Sequence, residues 1–142
     1  MFVSSLIFLS VLNNLLLIAV FLIRKNNLAF VERWGKLYLF VVIPVGITWI
    51  IGLKEQMNPI YSVFFVIFLL FLGIEALFDH ILKLDFRTNW KPLIPYLILY
   101  YMMNYGMFAM TYKENNIAGI VILVLIIVQI GANIYSHPRK RK

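Results

Sequence analysis

Residues 60–82 read IYSVFFVIFLLFLGIEALFDHIL, and this stretch decides the fold class. Twenty-odd residues without Lys or Arg are enough for a helix to cross a hydrocarbon core about 30 Å thick. The run is far longer than a membrane β-strand of ~10 residues, and apolar and polar positions do not alternate along it. A helix also satisfies its own backbone polar groups, which lipid cannot do for it. Working outward, four more runs of 20 residues or more have the same character, at 2–23, 34–53, 92–112 and 117–136. The expected fold is an all-α, polytopic transmembrane bundle of five helices, with residues 1–142 forming a single integral membrane domain.

Composition agrees. The chain is 63% hydrophobic and only 13% charged, with a mean hydropathy of +0.89. A soluble domain carries about twice that charge, and a disordered chain has low hydrophobicity. There is no cysteine, which excludes disulfides, thiolate metal sites and cysteine nucleophiles. The first run resembles a signal peptide only superficially. It has no basic leader, its apolar run is too long, and Arg24 and Lys25 follow it instead of a small-residue cleavage site. We read it as a retained first span.

The net charge of +7 would suggest nucleic acid in a soluble protein. Here its placement supplies another reason. Arg24, Lys25 and Arg33 lie between spans one and two with Lys36 in the first turn of span two, Lys83, Arg87 and Lys91 lie between three and four, and residues 139–142 form a basic tail. The opposite side holds only Lys54 and Lys113. Positive residues collect on the cytoplasmic side of membrane proteins, so the N-terminus is expected outside and the C-terminus in the cytoplasm. The same clusters attract anionic lipid headgroups at about 1 kcal/mol per charge. No nucleic-acid partner is expected, and the localisation that follows is a multi-pass protein of the cytoplasmic membrane.

Local signals fit these boundaries. Asn58 and Pro59 read as an N-cap and first-turn proline for span three. Pro92 and Pro95 are expected in the first turn of span four, where a missing N–H costs little. Pro44, with Gly46 nearby, falls in mid-span; it should free the Phe40 carbonyl and kink span two, as a hinge or as simple packing. Leu28, Val31 and Trp34 recur every three residues in the first cytoplasmic link. That link reads either as a short helix flat in the headgroups or as an irregular loop with a tryptophan anchor.

Polar residues in hydrocarbon carry the functional information. Glu75 is the most expensive, at about 2.5–3.5 kcal/mol if ionised in mid-membrane. Asp79 lies about 40° from it around an ideal helix, and Lys83 continues that face as an i, i+4 partner. These residues read as a proton- or cation-binding site, or as an Asp79–Lys83 pair with Glu75 bonded to a neighbouring helix. Asn13 and Asn14 with Ser10 share a face of span one, and Gln129, Asn133 and Ser136 share one of span five. On span four, Tyr96, Tyr100, Met103, Met107 and Met110 form a face with Asn104 at its edge, opposite Tyr101, Tyr105, Phe108 and Tyr112. Matching antiparallel depths brings Asn13, Asn14, Glu75, Tyr100 and Gln129 toward one level, either as a polar pocket or as interhelical ties worth about 0.6 kcal/mol each.

No H-E-x-x-H, G-x-S-x-G or Gly-rich phosphate loop occurs. Glu75, Asp79 and His80 make a weak metal signal, because Glu75 and His80 diverge on one helix. No catalytic residue, metal or cofactor is assigned. The leading expectation is a non-enzymatic accessory, assembly or protective factor acting through helix packing or lipid contact, with a membrane-protein partner or a second copy of the chain. The alternatives are a proton- or cation-linked transporter or channel using Glu75, and a lipid-modifying enzyme using Glu75, Asp79 and a tyrosine.

Overall fold

The computed structural model describes residues 1–82 and 89–136. In chain order the elements are α1 (Phe2–Asn26), α2 (Leu28–Trp34), a 3₁₀ stretch (Gly35–Val41) and α3 (Val42–Lys54). Then come α4 (Ile60–Glu75), a π-helical turn (Ala76–Ile81), α5 (Trp90–Glu114) and α6 (Asn116–Ser136). No strand occurs among the described residues. Among the described residues five helices are long and apolar enough to cross a membrane, with α2, the 3₁₀ stretch and α3 running together as one span from Ala29 to Lys54. Lys83, Arg87, His137 and the basic residues 139–142 lie outside the described residues.

The spans extend beyond the charge-free runs. α1 continues through Arg24, Lys25 and Asn26, because basic side chains suit the carbonyl end of a helix. The first link is a short helix, α2, rather than an irregular loop. α2 turns back along α1, as do the 3₁₀ stretch and α3 after it. Only Asn27 separates α1 from α2, and only Asn115 separates α5 from α6. The two asparagines solve the turn alike, with φ of −151° and −152°. Each N–H closes the helix before it, Asn27 onto Ile23 O at 2.7 Å and Asn115 onto Thr111 O at 2.8 Å. Each side-chain oxygen caps the helix after it, from Phe30 N at 3.0 Å and Ala118 N at 2.9 Å. Asn58 and Asn89 likewise accept from Ile60 N and Lys91 N. Asparagine is among the strongest N-caps, and these caps set where the spans begin.

Prolines produce two departures from expectation. Span two departs from α-helical winding ahead of Pro44. Pro44 sits in the first turn of α3, and the seven residues before Val42 are 3₁₀ rather than α. A 3₁₀ run of this length is uncommon, and the missing proline N–H removes the α-type bond that would have held the Phe40 carbonyl. In a 3₁₀ helix, side chains three apart line up, and Tyr38 and Val41 are indeed both buried. Pro95 lies inside α5 and not in its first turn, because the Asn89 cap starts that helix at Trp90.

α1 sits centrally, against α6, α5 and α3, while α3–α4, α4–α5 and α5–α6 contacts close the ring. The core holds Leu6, Leu9, Leu17, Phe21, Phe65, Phe68 and Phe71 with the expected Tyr100, Met103, Met107 and Met110 face of α5. Tyr101, Tyr105 and Tyr112 point outward. On α6, Ile120, Val124, Ile127 and Ile134 are exposed, so that helix offers an apolar face to its surroundings. Between apolar helices in lipid, association rests on close packing rather than on burial from water. Gly106 illustrates it: a Cβ there would stand 2.6 Å from Phe64 Cδ1.

At the end away from the Arg24 cluster, Glu55 caps α1. Its Oε2 accepts from Phe2 N at 3.0 Å, and its Oε1 lies 3.4 Å from the Met1 amine. The Phe2 backbone N–H, with the amine in support, holds the Glu55 carboxyl below the usual glutamate range. A depressed carboxylate stabilises the fold above its unfolded value and ceases to do so as pH falls through its folded value. Protection of the Phe2 amide, measured against its intrinsic exchange rate at each pH, should therefore be lost only below the usual glutamate range. Glu55→Gln should abolish that pH dependence; an unchanged profile would show that the carboxylate does not hold this end.

Candidate functional site

The polar residues converge where α1, the 3₁₀ stretch, α4, α5 and α6 meet. Tyr38 donates to Asn13 Oδ1 at 2.7 Å, and Asn13 Nδ2 faces Met107 Sδ at 3.7 Å. Gln129 Nε2 donates to the Tyr100 hydroxyl at 2.7 Å, with Asn133 and Asn104 beside that hydroxyl. Glu75, Tyr96 and Tyr100 all stand close enough to Tyr38 to act on it electrostatically. Glu75 is 7% exposed; Asn13, Asn14, Tyr100 and Gln129 are fully buried. Phe71 packs on Tyr96 and Tyr100 with ring centroids 5.6 and 6.0 Å away, and Phe21 meets Tyr100 at 6.3 Å. The polar cluster is thus enclosed by aromatic rings.

Two of the amides turn back on their own helices. Asn14 Nδ2 donates to Ser10 O at 2.8 Å and Asn104 Nδ2 to Tyr100 O at 2.9 Å. Their oxygens, Asn14 Oδ1 and Asn104 Oδ1, and with them Gln129 Oε1, are buried with no donor among the described residues. An unsatisfied buried acceptor costs about 1–3 kcal/mol. The centre of the bundle is consequently rich in acceptors. One level further from the Arg24 end, Ser10 and Thr111 share a hydrogen bond of 3.2 Å across α1 and α5.

Glu75 closes α4, and the π turn begins at the next residue. Leu82 N bonds Leu77 O at 2.8 Å, a five-residue step that widens the turn. Single π turns within α-helices recur at functional sites. The turn brings Asp79 to Arg24 of α1, with Asp79 Oδ2 3.9 Å from Nη2 and side chains 19% and 10% exposed. Asp79 therefore has a described partner on another span. Its expected partner, Lys83, lies outside the described residues. Arg24 also covers the Phe21 ring at 5.8 Å. His80 is half-buried on the same turn, and no group of three metal-ligating side chains forms among the described residues.

The structure brings together Asn13, Glu75, Tyr100, Asn104 and Gln129, while Asn14 faces the core through Ser10 and Asp79 forms the ion pair at the rim. Pro44 stands apart from them in α3, beside a shallow cavity with Ser4, Ser5, Phe8, Ile47 and Thr48. Tyr38 and Arg24 were not singled out from the sequence as members of this cluster. The available signal for Tyr38 was a hydroxyl in a mostly apolar run, at the depth of Asn13. Comparison with known protein families, curated proteins and solved structures finds none that matches this chain.

Proposed function

We propose that this chain is a small multi-pass membrane protein that acts without bond-making chemistry, as an accessory, assembly or protective factor working through helix packing and lipid contact. The observation that supports it most is the division of its side chains. Polar groups are used as ties inside the bundle, in the Tyr38–Asn13, Gln129–Tyr100 and Ser10–Thr111 bonds. Large apolar residues are exposed on all five spans, Phe8, Ile47, Val63, Ile98 and Ile127 among them. Such a surface suits lipid, a membrane-protein partner or a second copy of the chain. The charge placement supports an orientation with the Arg24 end in the cytoplasm. In-membrane crosslinking of the full chain should capture a partner or a second copy; a strictly solitary protein in mild detergent would count against the reading.

A second reading has its own support. A buried carboxylate at the start of a π turn, in a bundle whose centre also holds three acceptor oxygens with no donor among the described residues, suits a protonatable or cation-holding site in a transporter or channel. Proton and cation flux into vesicles containing the chain decides between them. Under the first reading Glu75→Gln, which keeps the shape and removes the charge, leaves flux at the wild-type background across pH. A pH-dependent flux that the substitution lowers would favour the second.

A further inference from the structure

Beside the Arg24 end, α1 and the returning α2 enclose an apolar groove. Val20, Ile23, Phe30, Val31, Trp34, Gly35 and Leu37 line its volume of about 170 Å³. No polar side chain lines it, and it is smaller than the roughly 300 Å³ at which pockets for whole small molecules begin. It has the chemistry of a slot for part of a hydrocarbon chain. At 25 residues, α1 is about 37 Å long and outreaches a 30 Å core, which sets its basic end at headgroup level. Trp34 and Trp90 mark that level, being 48% and 66% exposed where tryptophans anchor spans to the interface.

The cations near the groove divide into two groups. Arg24 is engaged with Asp79, and Lys25 lies over the Tyr135 ring with Nζ 3.0 Å from its centroid. Arg33 and Lys36 flank Trp34 and Gly35 in the lining, are exposed, and have no carboxylate partner among the described residues. A concave apolar slot bordered by unengaged positive charge at headgroup depth matches one molecule: a lipid with an anionic phosphate headgroup.

We propose that the α1–α2 groove is a binding site for an anionic phospholipid, one acyl chain lying along Ile23, Val31 and Leu37 and the phosphate held by Arg33 and Lys36. It deepens the reading of the chain as a lipid-contacting membrane protein and rests on it. A chain alone would give no headgroup preference, and surface charge alone would not retain a lipid through detergent. The site supplies both.

The full chain is reconstituted in vesicles of equal phosphatidylglycerol and phosphatidylcholine, extracted in mild detergent, and its retained lipid measured by native mass spectrometry. The expected result is one retained phosphatidylglycerol, preferred about tenfold or more over phosphatidylcholine, as two charges near a headgroup imply. Arg33→Gln with Lys36→Gln should bring that ratio close to one. Leu37→Trp, which fills the groove from its exposed rim, should remove the retained lipid while Arg33 and Lys36 remain. Brominated acyl chains should quench Trp34 in a chain carrying Trp49→Phe and Trp90→Phe, and excess glycerol phosphate should not displace the lipid. Equal retention of both lipids, an unchanged ratio in the double variant, or displacement by glycerol phosphate overturns the groove assignment and leaves the membrane reading standing. A chain that stays outside the vesicles overturns both.

Discussion

Gly119→Leu is expected to cost about 3 kcal/mol, the upper part of the range for forcing extra atoms into a packed site. The reason is where the new atoms would go. Asn115 alone turns the chain between α5 and α6, so the first turn of α6 leaves the turn pressed against the last turn of α5. A Cβ at Gly119 would run into the Cα and Cβ of Tyr112. Backbone cannot move aside as a flexible side chain can, so the helices must part. Gly131 is the internal control, on the same helix with nothing within 4 Å of its Cβ position. Reversible unfolding of the full chain in mixed micelles, titrated with dodecyl sulfate, measures both. Gly131→Leu should stay near wild type; equal losses at the two positions would show that helix propensity, not contact, governs them.

Asp79→Ala is the second large effect. It leaves Arg24, whose side chain is only 10% exposed, without the carboxylate that the π turn brings to it. Losing one member of a fully buried pair costs about 3–5 kcal/mol, and partial exposure of both side chains lowers the expectation to about 2 kcal/mol. The diagnostic is the double variant. Arg24→Leu with Asp79→Leu removes both charges and should be less destabilised than Asp79→Ala alone, because replacing a whole pair by apolar groups is often neutral. The same micelle titration reads it. If the double variant loses as much as the two single changes together, the two residues act independently.

How much of this was visible in the chain follows from which forces act locally. The five spans were legible because length and charge placement alone distinguish lipid from water as solvent. The start of span two was not. Arg24, Lys25, Asn26 and Asn27 look like the beginning of a loop, yet one asparagine suffices to cap one helix and start the next. The inward face of α5 was legible from its Tyr and Met spacing, and the depth coincidence of Asn13, Glu75, Tyr100 and Gln129 was legible from antiparallel arithmetic. The bonds themselves were not, since Tyr38 meets Asn13 only through the rotation of one helix against another. Asp79 and Arg24 pair through a widened turn that no local spacing announces. Glu55 reaching Phe2 likewise depends on two distant ends being brought level.

The tightly wound segment before Pro44 has a consequence for how variation in this protein should be interpreted. Gly35, Tyr38 and Val41 stand in a straight column, whereas a wheel drawn for ordinary helical pitch fans them around the barrel and assigns some to lipid. Along this segment a rhythm of three separates the guarded sites from Phe40, which faces outward and is free to drift among residues compatible with the bilayer. Beyond Val41 the buried positions mix steps of four and three, through Val45, Thr48 and Gly52. A related sequence would be identified by that change of beat within one span.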